Sequence, residues 1–405
     1  MKKKIGIITT WFDRGASYVS KAYVDALKAD FDIGIYARGG EEFPLNDPRW
    51  NQEYVYWSEF VPGGINTQVD LEDFQIWLSR FEPDVLLFNE QQSWEVILWC
   101  KLNLEIPIGS YIDYYTHDTV PLFDAFDFLC CNTKRHHSVF QDHHNAWYIP
   151  WGVDLNQYNT PLELETDHPI FFHSAGFSPF RKGTDLVLEA FLKMEYEASL
   201  VIHIQHSPSQ HDSLLPFKNI ANIQWITETI PPPGAYHFGH IYVYPSRLDG
   251  LGLSLPEAIA SGLYALVPDE APMNEFIENG VNGETIEVVK KWTREDGYYW
   301  DMNQINTQAM SKAMDNIAKA WKDDPKRKSK IHCWAEKNLD WKQNSNQLAA
   351  MIQQIPPIKL NKTTQEALEK MIAKQHPKAS TKDIIHRKLI QFGARKIKRA
   401  IFGRK

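Results

Sequence analysis

The chain has 405 residues, 43% of them apolar and 23% charged; at roughly 150 residues per domain this predicts two to three globular domains and excludes a wholly disordered polymer. Its 43 basic and 51 acidic side chains leave a formal charge of −8, so the protein as a whole is not a nucleic-acid-binding polycation. The charge is uneven: Thr381–Lys405 carries nine basic residues against Asp383, a net +8, which leaves −16 for the rest. No apolar run approaches the roughly 18 residues that span a bilayer. The apolar stretch after Met1 and Lys2–Lys4 is too short for a signal peptide. Cys100, Cys130, Cys131 and Cys333 show neither a disulfide framework nor zinc spacing and read as thiols of a reducing cytoplasm.

In chain order, Ile5–Thr9 does not alternate and reads as a short strand buried on both faces. The loop Trp11–Ser17 follows, with Ser17 as the expected N-cap of a helix carrying Val19, Ala22, Tyr23, Ala26 and Leu27 at helical spacing. Further strands are predicted at Phe31–Tyr36, Asp84–Asn89, Ile106–Tyr111, Phe126–Cys131 and Trp147–Ile149. Strands separated by helical stretches imply βαβ units and a mostly parallel sheet. A polar, strand-poor connection at Asn156–His168 marks the domain boundary.

The same rhythm then restarts, with strands at Ile170–His173, Leu200–Gln205, Ile223–Ile226, Ile241–Tyr244 and Ala265–Val267. Helices are predicted at Thr184–Lys193, Leu255–Ser261, Asn306–Lys322 and Lys328–Ile355, the last ending before Pro356-Pro357. Two consecutive α/β halves are therefore visible before any motif is considered.

The most informative stretch is Tyr244–Gly262, YPSRLDGLGLSLPEAIASG. It reads as a strand, a glycine-containing turn and a helix start. Gly250 and Gly252 allow close backbone approach, and amides at a helix start suit an anionic diphosphate. Asp249 and Glu257 flank the turn with seven residues between them. Such carboxylates can hold hydroxyls on opposite sides of one bound phosphate. By spacing alone, two solvated acids on a strand–turn–helix are an equal reading.

The segment resembles the E-x7-E signature of retaining glycosyltransferase family 4 (glycosyl transferases group 1). Pro245-Ser246, Gly252-Leu253, Glu257-Ala258, Ala260 and Gly262 fit it, while Asp249 stands where the family has Glu. Ile149–Asp154, IPWGVD, is similar to the family's IPNGVD. Ser174–Asp185 carries Lys182-Gly183 of a G-R-x(4-5)-K-G-x-D block, with Phe177 where arginine is common. Leu339-Asp340-Trp341 resembles the F-S-W that precedes the family's closing helix.

The resemblance implies an α/β GT-B fold: two Rossmann-like parallel-sheet domains facing across a cleft, with a C-terminal helical segment and a basic tail. The implied division is residues 1–157 on the acceptor side and 165–330 on the nucleotide-sugar side. A closing helix, 331–356, packs back on the N-terminal domain, and 357–405 forms the extension with its tail. The activity implied is transfer of a hexose from a UDP- or GDP-linked sugar to a glycan or lipid-linked acceptor, in cell-surface polysaccharide or glycolipid assembly. Carried over by position, Glu257 holds the ribose hydroxyls and Lys182 neutralises the diphosphate, with Arg181 standing in for the arginine missing at Phe177. The amides of Leu251, Gly252, Leu253 and Ser254 cradle the phosphate, and Asp249 faces the sugar's hydroxyls. Breaking a sugar–phosphate bond places negative charge on the leaving group, which positioned cations and amides stabilise. No cofactor or metal is implied beyond the nucleotide-sugar itself.

Gly15, in the loop after the first strand, would let the backbone approach donor phosphate or acceptor, although an ordinary βα turn explains it equally. Asp113 and His117 fall where many relatives carry a histidine near the reacting centre. Either would be the polar group over the sugar, against the plainer reading of a solvated loop. His136-His137 and His143-His144 suggest metal ligands, but adjacent histidines on a helix face different ways and nothing completes a site. In the tail, Ile390, Ala394, Ile397 and Ile401 form one helical stripe among Arg395, Lys396, Lys398 and Arg399. That pattern predicts contact of Thr381–Lys405 with an anionic membrane surface, hence a cytoplasmic protein peripheral on the inner face; a solvated tail is the alternative, and nucleic acid is not favoured. The competing functions are a non-catalytic nucleotide-sugar-binding or scaffold subunit, or another GT-B enzyme such as a phosphorylase or sugar-phosphate synthase.

Overall fold

The computed structural model describes residues 2–38, 43–59, 61, 67–158 and 166–376. The chain divides into two compact units. One comprises Met1–Asn132, His136–Ile149 and the chain from Ser345 onward; the other comprises Thr133–Arg135 and Pro150–Asn344.

The first unit begins β1 (Lys3–Thr9), α1 (Gly15–Leu27), β2 (Phe31–Ala37), β3 (Val55–Trp57), α2 (Leu71–Phe81) and β4 (Val85–Asn89). It continues α3 (Glu95–Asn103), β5 (Ile108–Tyr111), β6 (Phe128–Cys131), α4 (Lys134–Phe140) and β7 (Ala146–Tyr148). The seven strands form one sheet in the order β3-β2-β1-β4-β5-β6-β7, and every pairing is parallel. The central strands β1 and β4 are buried along nearly their whole length, which is why they read as unbroken apolar runs and not as alternation.

The second unit runs α5 (Leu155–Tyr158), β8 (Ile170–Gly176), α6 (Pro179–Lys182), α7 (Thr184–Phe191), β9 (Ser199–Ile204), β10 (Ile223–Ile226), β11 (Ile241–Val243) and α8 (Ser254–Ala260). After these come β12 (Tyr264–Pro268), β13 (Gly283–Ile286), β14 (Val288–Trp292), β15 (Met302–Ile305), α9 (Thr307–Lys319), α10 (Arg327–Asn338) and α11 (Trp341–Asn344). Its six-stranded sheet has the order β10-β9-β8-β11-β12-β13, again parallel throughout. The strand order reverses between β8 and β11. Ligands of open α/β sheets settle beyond the carboxyl ends of the strands at such a reversal, and the predicted donor motifs follow these two strands.

The chain then returns to the first unit with α12 (Leu348–Gln354) and α13 (Lys362–Gln375). The Lys3 ammonium donates to the Gln353 carbonyl at 3.0 Å. Near α13, the Ile358 amide donates to Asp127, which also pairs with buried Lys101 at 2.7 Å. Among the described residues no helix is long and apolar enough to cross a membrane.

Several expectations need correction. Ser17 is not the N-cap: α1 starts at Gly15 after Arg14, and the Ser17 hydroxyl closes the preceding loop, accepting from Phe12 N and donating to Thr10 O. The single helix expected over Lys328–Ile355 is three, α10 to α12. The break comes where the backbone at Leu339–Trp341 leaves the helix to pair with Val153: Val153 N donates to Leu339 O, and Trp341 N to Val153 O. Asp340 then caps the next turn through the Lys342 amide. Sequence also overlooked α2, capped by Asp70, and the antiparallel β14–β15 ribbon. Thr381–Lys405, with its Ile390–Ile401 stripe, lies outside the described residues.

Candidate functional site

At the carboxyl end of β8 the chain makes the single turn α6, which stops at Gly183. There φ is +74°, and the position where a Cβ would sit is occupied by the carbonyl of Pro245, so only glycine allows this approach. The buried His173 ties the two switch-point strands together. Its Nδ1 donates to Val243 O at 2.8 Å and its Nε2 accepts from Thr184 Oγ1 at 2.9 Å. Burial holds this imidazole neutral, with its pKa down at about 4.

The turn after β11 brings Asp249 against the two cations of α6. Its Oδ1 accepts from Arg181 Nη1 at 2.5 Å and Lys182 Nζ at 2.9 Å. Its Oδ2 accepts from Tyr244 at 2.7 Å and Ser246 Oγ at 2.5 Å. The Asp249 side chain is 8% exposed. Burial works against its charge, but Lys182, Arg181 and the two hydroxyls outweigh it and hold the carboxyl well below the usual carboxylate range. Both oxygens are thus engaged by the protein's own donors. Lys182 also donates to the Tyr244 hydroxyl. Burial lowers its ammonium to about 8, a fall that Asp249 limits and Arg181 deepens.

Glu257, one turn into α8, belongs to a neighbouring group. It accepts from Tyr236 at 2.5 Å and from Tyr158. Burial raises its carboxyl to about 7, against the pull of those hydroxyls and of the Lys182 charge. Between the two acids, Ser254 accepts from Tyr242 at 2.9 Å. Tyr236, Tyr242 and Tyr244 pack ring against ring, at 6.0 and 5.2 Å between successive centroids. Leu251–Ser254 carry the chain into α8; of the two turn glycines it is Gly252, at φ +76°, that takes the left-handed conformation.

The loop is braced from behind. Arg247, 3% exposed, donates to both oxygens of Asp185 at 2.7 Å and to the Phe180 carbonyl at 2.5 Å. Asn303 of β15 holds the carbonyl of Arg247 through its amide and its side chain. Arg135 donates to the carbonyls of Ala271 and Asp249 and lies over the Trp300 ring.

The structure thus gathers Arg181, Lys182 and Asp249 into one cluster, with Glu257 close enough to feel Lys182. Gly15, Asp113 and His117 belong to the first unit. Gly15 is exposed at the start of α1, and His117 is exposed in the loop after β5. Asp113, also past β5, is hydrogen-bonded to Glu90, which follows β4 at φ +50°. Burial and the Asp113 charge raise Glu90 well above the usual carboxyl range, with Arg38 opposing. His136 is held by the Tyr115 hydroxyl and His143 by the Phe126 carbonyl. Sequence reading missed Tyr236, Tyr242, Tyr244, Arg247 and Glu90. The alternation Tyr242-Val243-Tyr244 was the available signal, since it puts both hydroxyls on one face of β11.

Residues 157–294 match the family model described as glycosyl transferases group 1. No curated protein matches the sequence. Among solved structures, Anabaena HepE in complex with UDP and glucose is 13% identical with a TM-score of 0.67, covering 87% of this chain and 100% of its own. Sucrose-phosphate synthase from Thermosynechococcus elongatus is 14% identical with a TM-score of 0.68, covering 87% and 99%. A glycosyltransferase from Rickettsia africae is 13% identical with a TM-score of 0.67, covering 87% and 98%. The fold is therefore that of the GT-B glycosyltransferases, two Rossmann-like parallel-sheet domains with C-terminal helices.

Proposed function

We propose that the protein is a retaining glycosyltransferase that moves a hexose from a UDP- or GDP-linked sugar to a glycan or lipid-linked acceptor, in cell-surface polysaccharide or glycolipid assembly. The observation that carries the proposal is the pairing of Arg181 and Lys182 at the carboxyl end of β8, beside the β11–α8 turn at the reversal of strand order. The match of residues 157–294 to the glycosyl transferases group 1, and a structural neighbour that binds UDP and glucose, support it.

In this reading Lys182 and Arg181 meet the donor diphosphate, the Leu251–Ser254 backbone lies along it, and Glu257 accepts from the ribose hydroxyls. As the anomeric C–O bond breaks, negative charge gathers on the leaving phosphate, where two fixed cations lower its energy without reorganising at the moment of reaction. The acceptor hydroxyl bonds to the anomeric carbon on the face the diphosphate leaves, and its proton passes to the departing phosphate oxygen. Lys182, at about 8, is still largely charged at pH 7. Gly15 is assigned to the donor phosphate or the acceptor, and Asp113 or His117 to the polar group over the sugar.

A panel of UDP- and GDP-sugars, scored for thermal stabilisation and for nucleoside diphosphate release, tests the proposal. One donor should both stabilise and turn over. Stabilisation without turnover would instead mark a binding subunit, and the absence of both effects would overturn the reading.

A further inference from the structure

Arg181 and Lys182, the two cations on the turn after β8, are already engaged by one internal anion. Asp249 accepts four hydrogen bonds, from Arg181, Lys182, Tyr244 and Ser246. A carboxylate offers about four lone-pair positions, so all of its acceptor capacity is spent inside the protein. Turning it toward a sugar would strip a carboxylate that is only 8% exposed of its four hydrogen bonds, two of them charge-assisted, which is costly for a group this buried. The residue's length fits this arrangement. Aspartate is one carbon–carbon bond, about 1.5 Å, shorter than the glutamate of the sequence it resembles, and its reach ends among the cations.

We infer that Asp249 is a positioning residue: it fixes Arg181 and Lys182 for the donor's diphosphate and leaves the hydroxyls of the transferred sugar to other groups. The inference rests on reading this cluster as a nucleotide-sugar site. Lys182 reports on it. The groups acting on its ammonium are Arg181 beside it on α6, Asp249 and Tyr244 from the β11 side, Glu257 on α8, and His173 on β8. Asp249 is the carboxylate in direct contact among these, so its removal withdraws the main interaction that keeps Lys182 protonated.

Two readouts on the full chain test this. In the first, without ligand, the pH dependence of Lys182 acylation is followed by mass spectrometry in wild type and in Asp249→Asn. The profile should move to lower pH by about one unit, which from a starting value of about 8 raises the unprotonated fraction at pH 7 roughly fivefold. An unmoved profile in a folded variant overturns the inference, whether or not any nucleotide binds. In the second, calorimetry compares the free nucleotide with its sugar conjugate, taking UDP against UDP-glucose, or GDP against GDP-mannose if wild type prefers guanine. Positioning predicts that both affinities change together, within about twofold, and that their alkaline limbs move with the acylation profile. Loss confined to the sugar conjugate would make Asp249 a sugar contact and overturn the inference. Should Asp249→Asn not fold, Asp249→Glu keeps the charge but overshoots the cations, and should weaken free nucleotide and conjugate alike. Tighter binding of the conjugate alone would overturn it. Failure of wild type to bind either nucleotide would defeat the site reading itself, which the acylation arm does not require.

Discussion

Replacing Glu257 by glutamine should stabilise the ligand-free protein at alkaline pH and hardly at all in acid. The carboxyl is raised from 4.5 to about 7, chiefly by burial. A raised carboxyl pKa means that the folded state holds a proton which the unfolded chain releases between these values, so wild-type stability falls as pH rises from about 4.5 to 7. At 1.36 kcal/mol per unit the ceiling on this loss is roughly 3 kcal/mol, and partial exposure of Glu257 brings the expected value to about 1–2 kcal/mol. Glutamine has no charge to bury and can still accept from the Tyr236 hydroxyl. The melting temperatures of wild type and Glu257→Gln should therefore lie close at pH 4.5 and diverge by pH 8. For a unit of about 200 residues the gap should widen by roughly 2–6 °C in favour of the variant. The comparison cancels any packing cost of the substitution, because that cost is present at both pH values. A gap that is the same at both, or that widens in favour of wild type, would refute a buried, raised carboxyl at Glu257.

The same two groups set a window for nucleotide binding: Glu257 gains its charge above about 7 and Lys182 loses its own above about 8. Affinity measured by calorimetry should peak between these values and fall on both sides, and a flat profile from pH 6 to 9 would contradict the assignment. Arg247→Ala should lower the stability of the second unit by about 1–3 kcal/mol, since it removes the charge-assisted bonds to the part-exposed Asp185 and the donor to the Phe180 carbonyl; a variant melting with wild type would show that the brace carries nothing. For the tail, we propose contact with anionic membrane: the full chain should float with anionic vesicles at low salt and a chain ending at Ser380 should not. Equal flotation would remove that contact and leave the enzymatic proposal intact.

Architecture was legible wherever a single local rule operated. Parallel strands buried on both faces, such as Ile5–Thr9 and Val85–Asn89, announce themselves as apolar runs, and the turn after β11 carries its own spacing of Asp249, Gly252 and Glu257. What escaped depends on residues far apart in sequence. The break at Leu339–Trp341 is set by pairing with Val153; periodicity alone runs one helix through Lys328–Ile355, although Leu339-Asp340-Trp341 matches a motif that precedes a helix. Ser17 has the chemistry of a cap, but its hydroxyl is taken by the loop of Phe12 and Thr10. The fourfold engagement of Asp249 needs Tyr244 and Ser246 from its own loop and Arg181 and Lys182 from a turn more than sixty residues earlier. Motif spacing singled out Asp249, while its partners came only from the way β8 and β11 lie side by side.

The most direct test of the account compares nucleoside diphosphate release by wild type and Lys182→Ala, each with its preferred UDP- or GDP-sugar and with circular dichroism confirming that both are folded. A charge-assisted bond to the diphosphate contributes roughly 1.5–3 kcal/mol, so the variant should turn over donor about 10- to 150-fold more slowly. Equal turnover by a folded Lys182→Ala variant would place the donor site elsewhere and contradict the account.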